Sequence, residues 1–202
     1  MIAIIDYKMG NLHSVKNALD KLGHECEITS DIDKIRRADK LILPGVGAFP
    51  DAARALSDMG LFEEIISLCR EGKHLLGICL GMQLLFEESY EFGASAGLGL
   101  IPGKVVPIDA GGLKIPHIGW NSLKIHNEND PIIKGMSDGS HVYFVHSFRA
   151  DTDIENIVCS TEYGEFIPAL VKSPTMNVWG AQFHPEKSHD TGLSMIDCFC
   201  KL

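Results

Sequence analysis

The first ninety residues alternate short apolar runs with helical patterns, and that alternation constrains the fold more than any other feature. Ile2–Asp6 reads as a buried strand, continuous in apolar residues as strands of a parallel sheet are. Asn11 stands where it caps a helix whose apolar residues Leu12, Val15, Leu19 and Leu22 recur at helical spacing, and Gly23 suits its end. Glu25–Thr29 and Leu41–Leu43 read as further strands. Leu61–Arg70 is amphipathic, His74–Ile78 is strand-like, and Leu80–Glu88 reads as the next helix. Strand and helix in regular succession predict a parallel sheet covered on both faces.

The second half changes character. Gly93–Gly103 is glycine-rich and reads as loop. Short β-like stretches follow at Lys114–Ile118, His141–Phe148, Ile157–Ser160, Ala169–Lys172 and Val178–Phe183, and a helix at about Gly192–Cys200 closes the chain. No linker or repeat separates the halves, so one α/β domain over residues 1–202 is expected. Its 202 residues suffice to bury about 70% of the unfolded surface without disulfide or metal staples. The chain is 45% apolar and 22% charged, as a globular protein is, and no apolar run approaches a membrane span. Met1–Asp6 lacks the length and the positive charge of a signal peptide, so a cytoplasmic location is expected. The net charge of −9 disfavours general nucleic-acid binding. Six scattered cysteines without a Cys-x-x-Cys pair predict reduced thiols and no zinc site, and no metal or other cofactor is expected.

Cys79 has different company. Gly77-Ile-Cys79-Leu-Gly81 lies where an expected strand turns into an expected helix, the small-x-nucleophile-x-small pattern of a nucleophile elbow. A thiol there faces a helix N-terminus, whose partial positive charge favours the thiolate. In Gln182-Phe-His-Pro-Glu186, extended chain would set His184 and Glu186 on one side, where a carboxylate orients an imidazole. Cys79, His184 and Glu186 thus make a candidate triad. Acyl transfer also needs donors for an oxyanion. The backbone N–H of Leu80 follows from the elbow, and the loop Pro44-Gly-Val-Gly47 offers a second at the carboxyl edge of a strand. That loop lacks the third glycine of a dinucleotide fingerprint and the Lys-Ser/Thr of a phosphate loop. These residues alone specify cysteine acyl transfer and leave the substrate open.

With these motifs in place, the chain resembles the class I, triad-type glutamine amidotransferase family. The resemblance rests on Leu43–Phe49, Gly77–Gln83 and Gln182–Lys187, and it runs from end to end. Met82, Pro116–Asn121, Tyr143–Ser147 and Asp6–Asn11 narrow it to the branch of glutaminase subunits that serve imidazole glycerol phosphate synthesis. The resemblance implies a flavodoxin-like fold and hydrolysis of glutamine to glutamate and ammonia by Cys79, His184 and Glu186. Val46, Gly47 and Leu80 would hold the oxyanion, after a peptide flip near Val46. Gly45, Gln83, His146, Ser147 and Phe148 would line the glutamine pocket. Asn11, Trp120 and Lys187 would face a (β/α)₈ cyclase subunit in a heterodimer, which receives the ammonia. Lys8 departs from the family, which usually carries glycine there. Three alternatives stay open: a cysteine peptidase or esterase on a similar sheet, a paralogue feeding a sugar-modifying partner, and an inactive binding subunit.

Overall fold

The computed structural model describes all of residues 1–202. The chain order in the first half is β1 (Ile2–Ile5), α1 (Leu12–Lys21), β2 (Cys26–Thr29), α2 (Ile32–Arg37), β3 (Lys40–Gly45), α3 (Phe49–Asp58), α4 (Leu61–Arg70), β4 (His74–Cys79) and α5 (Leu80–Gln83). The second half adds β5 (Glu88–Ser89), β6 (Ser95–Ala96), β7 (Lys104–Pro107), β8 (His117–Ser122), β9 (Lys124–Ile125), β10 (His141–His146) and β11 (Phe148–Asp151). It ends with β12 (Ile157–Glu162), β13 (Phe166–Lys172), β14 (Val178–Ala181) and α6 (His189–Lys201).

The eight-stranded main sheet has the order β2-β1-β3-β4-β14-β13-β12-β9. Strands β2, β1, β3, β4 and β14 run parallel, and β13, β12 and β9 add antiparallel pairings at one edge. Two small sheets, β10-β8 and β11-β7-β5-β6, hold the remaining strands of the β-rich second half. Side chains alternate along β1. Ala3 and Ile5 join a core with Phe49, Leu56, Leu61 and Ile65 of α3 and α4, while Ile2 and Ile4 join another with Val15 and Leu19 of α1 and Met195 and Phe199 of α6. Helices thus cover both faces, as expected for parallel strands buried on two sides. No helix is long and apolar enough to cross a membrane.

Two helices fall outside the sequence expectations. In α2 only Ile35 is buried, so the segment carries little periodic signal, and its start is fixed by the Asp31 carboxylate accepting from the backbone of Asp33 and Lys34. Helix α3 carries Phe49, Ala52 and Leu56 at helical spacing with Pro50 in its first turn. The expected helix over Leu80–Glu88 is corrected: α5 stops at Gln83. Backbone N–H groups of Leu98, Gly99 and Leu100 bond the carbonyls of Leu84, Phe86 and Leu85, so a returning loop takes acceptors that a longer helix would use.

The parallel strands share one carboxyl edge, where open α/β sheets bind ligands. Tyr7 after β1, Val46 after β3, Cys79 ending β4 and His184 after β14 converge there.

Candidate active site

The elbow is built by close backbone approach. A Cβ on Gly81 would overlap the Leu43 carbonyl, and one on Gly77 would sit 2.6 Å from the Gly81 oxygen, so only glycine lets β4, α5 and β3 pack this tightly. Between them Cys79 takes φ 55° and ψ −111°, a conformation rare for a residue with a side chain. Its side chain ends within 3.7 Å of the Val145 carbonyl, and the residue is only 8% exposed.

His184 Nδ1 lies 2.9 Å from Glu186 Oε1, with both side chains buried. The extended arrangement expected of this segment is corrected. Pro185–Lys187 forms a 3₁₀ turn, and the turn brings the carboxylate to His184 Nδ1. A backbone clamp holds His184: its N–H donates to the Tyr143 carbonyl, and Ser188 Oγ donates to the His184 carbonyl while accepting from Tyr143 N–H. His184 Nε2 and Glu186 Oε2 are buried without hydrogen-bond partners. Burial alone pulls the imidazole pKa down, but interaction with the Cys79 sulfur and then with Glu186 outweighs it and carries His184 up to about 9.

Cys79 and His184 meet across a cavity of about 330 Å³, a size suited to a small molecule. Val46, Gly47, Leu80, Gln83, His146, Ser147 and Phe148 line it. Gly45 does not: it ends β3 beneath the loop, where a Cβ would meet the Tyr7 hydroxyl at 2.5 Å and the Gly81 nitrogen at 2.8 Å. Its place is packing against the elbow. Gln83 Nε2 is already committed, 3.1 Å from both the Phe148 carbonyl and Gln182 Oε1.

Sequence reasoning missed several residues here. Gln182 is fully buried, with Nε2 4.0 Å from Cys79 Sγ. It lies within the motif that carries His184, and that proximity was the available signal. Glu91 lines the cavity and accepts from Phe49 N–H at 2.7 Å, anchoring the start of α3. Tyr7 is wholly buried with an unpartnered hydroxyl, and burial, followed by the nearby Cys79, raises its pKa. No pattern in the sequence marks Glu91, whereas Tyr7 lies within the Asp6–Asn11 segment that carries part of the resemblance.

Asn11, Trp120 and Lys187 lie along one continuous surface. Trp120 stacks on His189 with ring centroids 4.9 Å apart, and His189, Lys187, Glu186 and Ser14 line one groove. Ser14 Oγ donates to Asn11 Oδ1 at 2.8 Å. Lys8 takes φ 67°, the left-handed backbone that glycine adopts without cost.

A strained cysteine on an elbow, a carboxylate-oriented histidine and a small cavity between them define a cysteine hydrolase or acyl-transfer enzyme of the α/β type. The chain belongs to the class-I glutamine amidotransferase family, whose model matches residues 3–201. It is 52% identical to the imidazole glycerol phosphate synthase subunit HisH of Caldanaerobacter subterraneus subsp. tengcongensis, over 98% of this chain and 97% of that protein. It is 45% identical to the protein of the same name from Wolinella succinogenes over the full length of both. The fold matches the solved structure of PurLQS from Thermotoga maritima, with a TM-score of 0.79 and 21% identity over 99% of this chain and 97% of that one. A crystal structure of a glutamine amidotransferase gives a TM-score of 0.77 with 20% identity, over all of both chains.

Proposed function

We propose that the chain is the glutaminase subunit of an imidazole glycerol phosphate synthase, hydrolysing glutamine at Cys79 and passing ammonia to a (β/α)₈ cyclase subunit in histidine biosynthesis. The observation that carries the chemistry is the state of His184: Nδ1 is held by Glu186, and Nε2 is buried, unpartnered and beside the Cys79 cavity. With its pKa carried up to about 9, His184 Nε2 already holds the proton of the Cys79–His184 pair, and the sulfur attacks the side-chain amide carbon of glutamine. The amide oxygen gains negative charge, which the backbone N–H groups of Leu80 and of the Val46–Gly47 loop stabilise. The C–N bond breaks, and the His184 proton leaves on ammonia. Water then gives a proton to His184 and attacks the thioester, the C–S bond breaks, and glutamate departs with that proton left on His184.

Two observations support a docked acceptor. Val46 of the oxyanion loop, which lines the cavity, and Trp120, which stacks on His189 along the neighbouring groove, are 44% and 46% exposed. The amidotransferase family model takes up residues 3–201, so a site that consumes ammonia lies outside this domain. The six unpaired cysteines fit a reducing compartment such as the cytoplasm.

Glutamate release from glutamine tests this reading, measured for the chain alone, with its cyclase, and with the cyclase carrying its ribonucleotide. Low activity alone, a large rise in the liganded complex and none in Cys79→Ala is the expected pattern. Full activity without a partner would overturn the gated arrangement, and stimulation only by a different acceptor would overturn the histidine assignment.

A further inference from the structure

A line of hydrogen-bonded side chains runs from β8 to the neighbourhood of the nucleophile. His117 Nδ1 lies 3.0 Å from His146 Nε2, and His146 Nδ1 lies 2.8 Å from the Phe148 carbonyl. A carbonyl can only accept, so His146 carries its proton on Nδ1. Burial lowers His146 to about 4, which leaves the ring neutral at pH 7 and Nε2 an acceptor. His117 must then donate, through Nδ1. The Phe148 carbonyl at the far end also receives Gln83 Nε2, which donates in turn to Gln182, the residue beside Cys79 Sγ.

Packing alone does not account for His117. Its ring is stacked between Tyr163 at 3.9 Å and Phe144 at 4.8 Å, which a phenyl group would do as well. The residue is only 2% exposed, and a buried polar ring is costly unless its nitrogens are used.

We infer that His117 is a positioning residue for the glutamine pocket: its Nδ1–H fixes the tautomer of His146, and His146 in turn fixes the Phe148 carbonyl and the Gln83 amide that form the pocket wall. This rests on the glutamine reading above. Strand β8 then has two jobs. Its inward residue His117 sets the pocket, while Ile118 and Trp120 are presented outward.

Two substitutions separate the donor from the ring. His117→Phe keeps the stack and removes the donor. His117→Asn gives up the ring and keeps an N–H near the Nδ1 position. In the complex with the cyclase, His117→Phe is expected to raise the KM for glutamine about 10-fold with a smaller change in kcat, as loss of a buried hydrogen-bond partner implies. His117→Asn is expected to stay near the wild-type KM. The reverse order, equal impairment of both variants, or no effect in either would overturn the inference. ¹⁵N NMR of the histidines in the wild-type chain supplies a readout independent of turnover. It should show His146 protonated on Nδ1 and His117 on Nδ1, with the His146 signal altered in His117→Phe. Protonation of His146 on Nε2 instead would also overturn the inference. Absence of glutamine turnover in every form, with the NMR result intact, would count against the glutamine reading and not against the relay.

Discussion

His184 Nδ1 and Glu186 Oε1 lie 2.9 Å apart inside a 3₁₀ turn, with both side chains sealed from solvent. The carboxylate fixes which ring nitrogen carries the proton, so Nε2 is left to exchange one with Cys79. Glu186→Gln preserves the shape and removes the charge. It should lower kcat in the partner complex by about 10²–10⁴-fold with little change in the melting temperature. Steady-state kinetics beside a thermal melt check this, and unchanged kcat would remove Glu186 from the catalytic account.

The buried histidines pull stability in opposite directions with pH. His184 is carried up to about 9 from 6.5, so between those values the folded chain holds a proton that the unfolded chain has lost. That stabilisation is complete below pH 6.5 and vanishes as pH rises through 9. Burial lowers His117 and His146 to about 4, so their contribution is complete above pH 6.5 and is lost as pH falls toward 4. The melting temperature should therefore peak near pH 6.5. His184→Asn should flatten the alkaline limb and His117→Asn part of the acid limb. Limbs unchanged in these variants would assign the pH dependence to other groups.

Gly81→Ala tests the elbow itself. The added methyl would overlap the Leu43 carbonyl, a backbone atom that cannot swing away. The expected loss is at least about 1–3 kcal/mol, with activity abolished as the Cys79 backbone shifts. Circular dichroism melts and the glutaminase assay measure both. A variant with native melting and turnover would contradict the packing described.

Much of this arrangement is legible in the sequence because it depends on local pattern. Ile2–Ile5, Leu41–Leu43 and His74–Ile78 announce buried parallel strands through continuous apolar residues, and the glycines around Cys79 announce the elbow. The resemblance of the ordered motifs then supplies what spacing alone leaves open, the amide substrate. Distant contacts are not legible. Leu84–Phe86 are apolar enough to extend α5, but backbone groups of Leu98–Leu100, many residues away, take their carbonyls. His117 and His146 meet only because β8 and β10 pair in one register. Gly45 belongs to the same loop sequence as Val46 and Gly47, yet the end of β3 turns it toward Tyr7 and away from the cavity.

Tyr7 offers a stability test without catalytic assumptions. Its hydroxyl is buried and has no hydrogen-bond partner, a cost that Tyr7→Phe removes. The variant should be more stable by about 1 kcal/mol, a rise of roughly 2–4 °C in melting temperature for a chain of this length. A fall in melting temperature would mean that the hydroxyl is paired in solution.

The central claim, that Cys79 is the nucleophile that accepts glutamine, is tested most directly by covalent trapping. The chain, in complex with its liganded cyclase, would be treated with a glutamine-mimicking electrophile, and the modified peptide identified by mass spectrometry. Labelling at Cys79 alone among the six cysteines, suppressed by excess glutamine and slowed by Glu186→Gln, is the predicted result. Labelling of another cysteine, or an unreactive Cys79 in the liganded complex, would contradict the account.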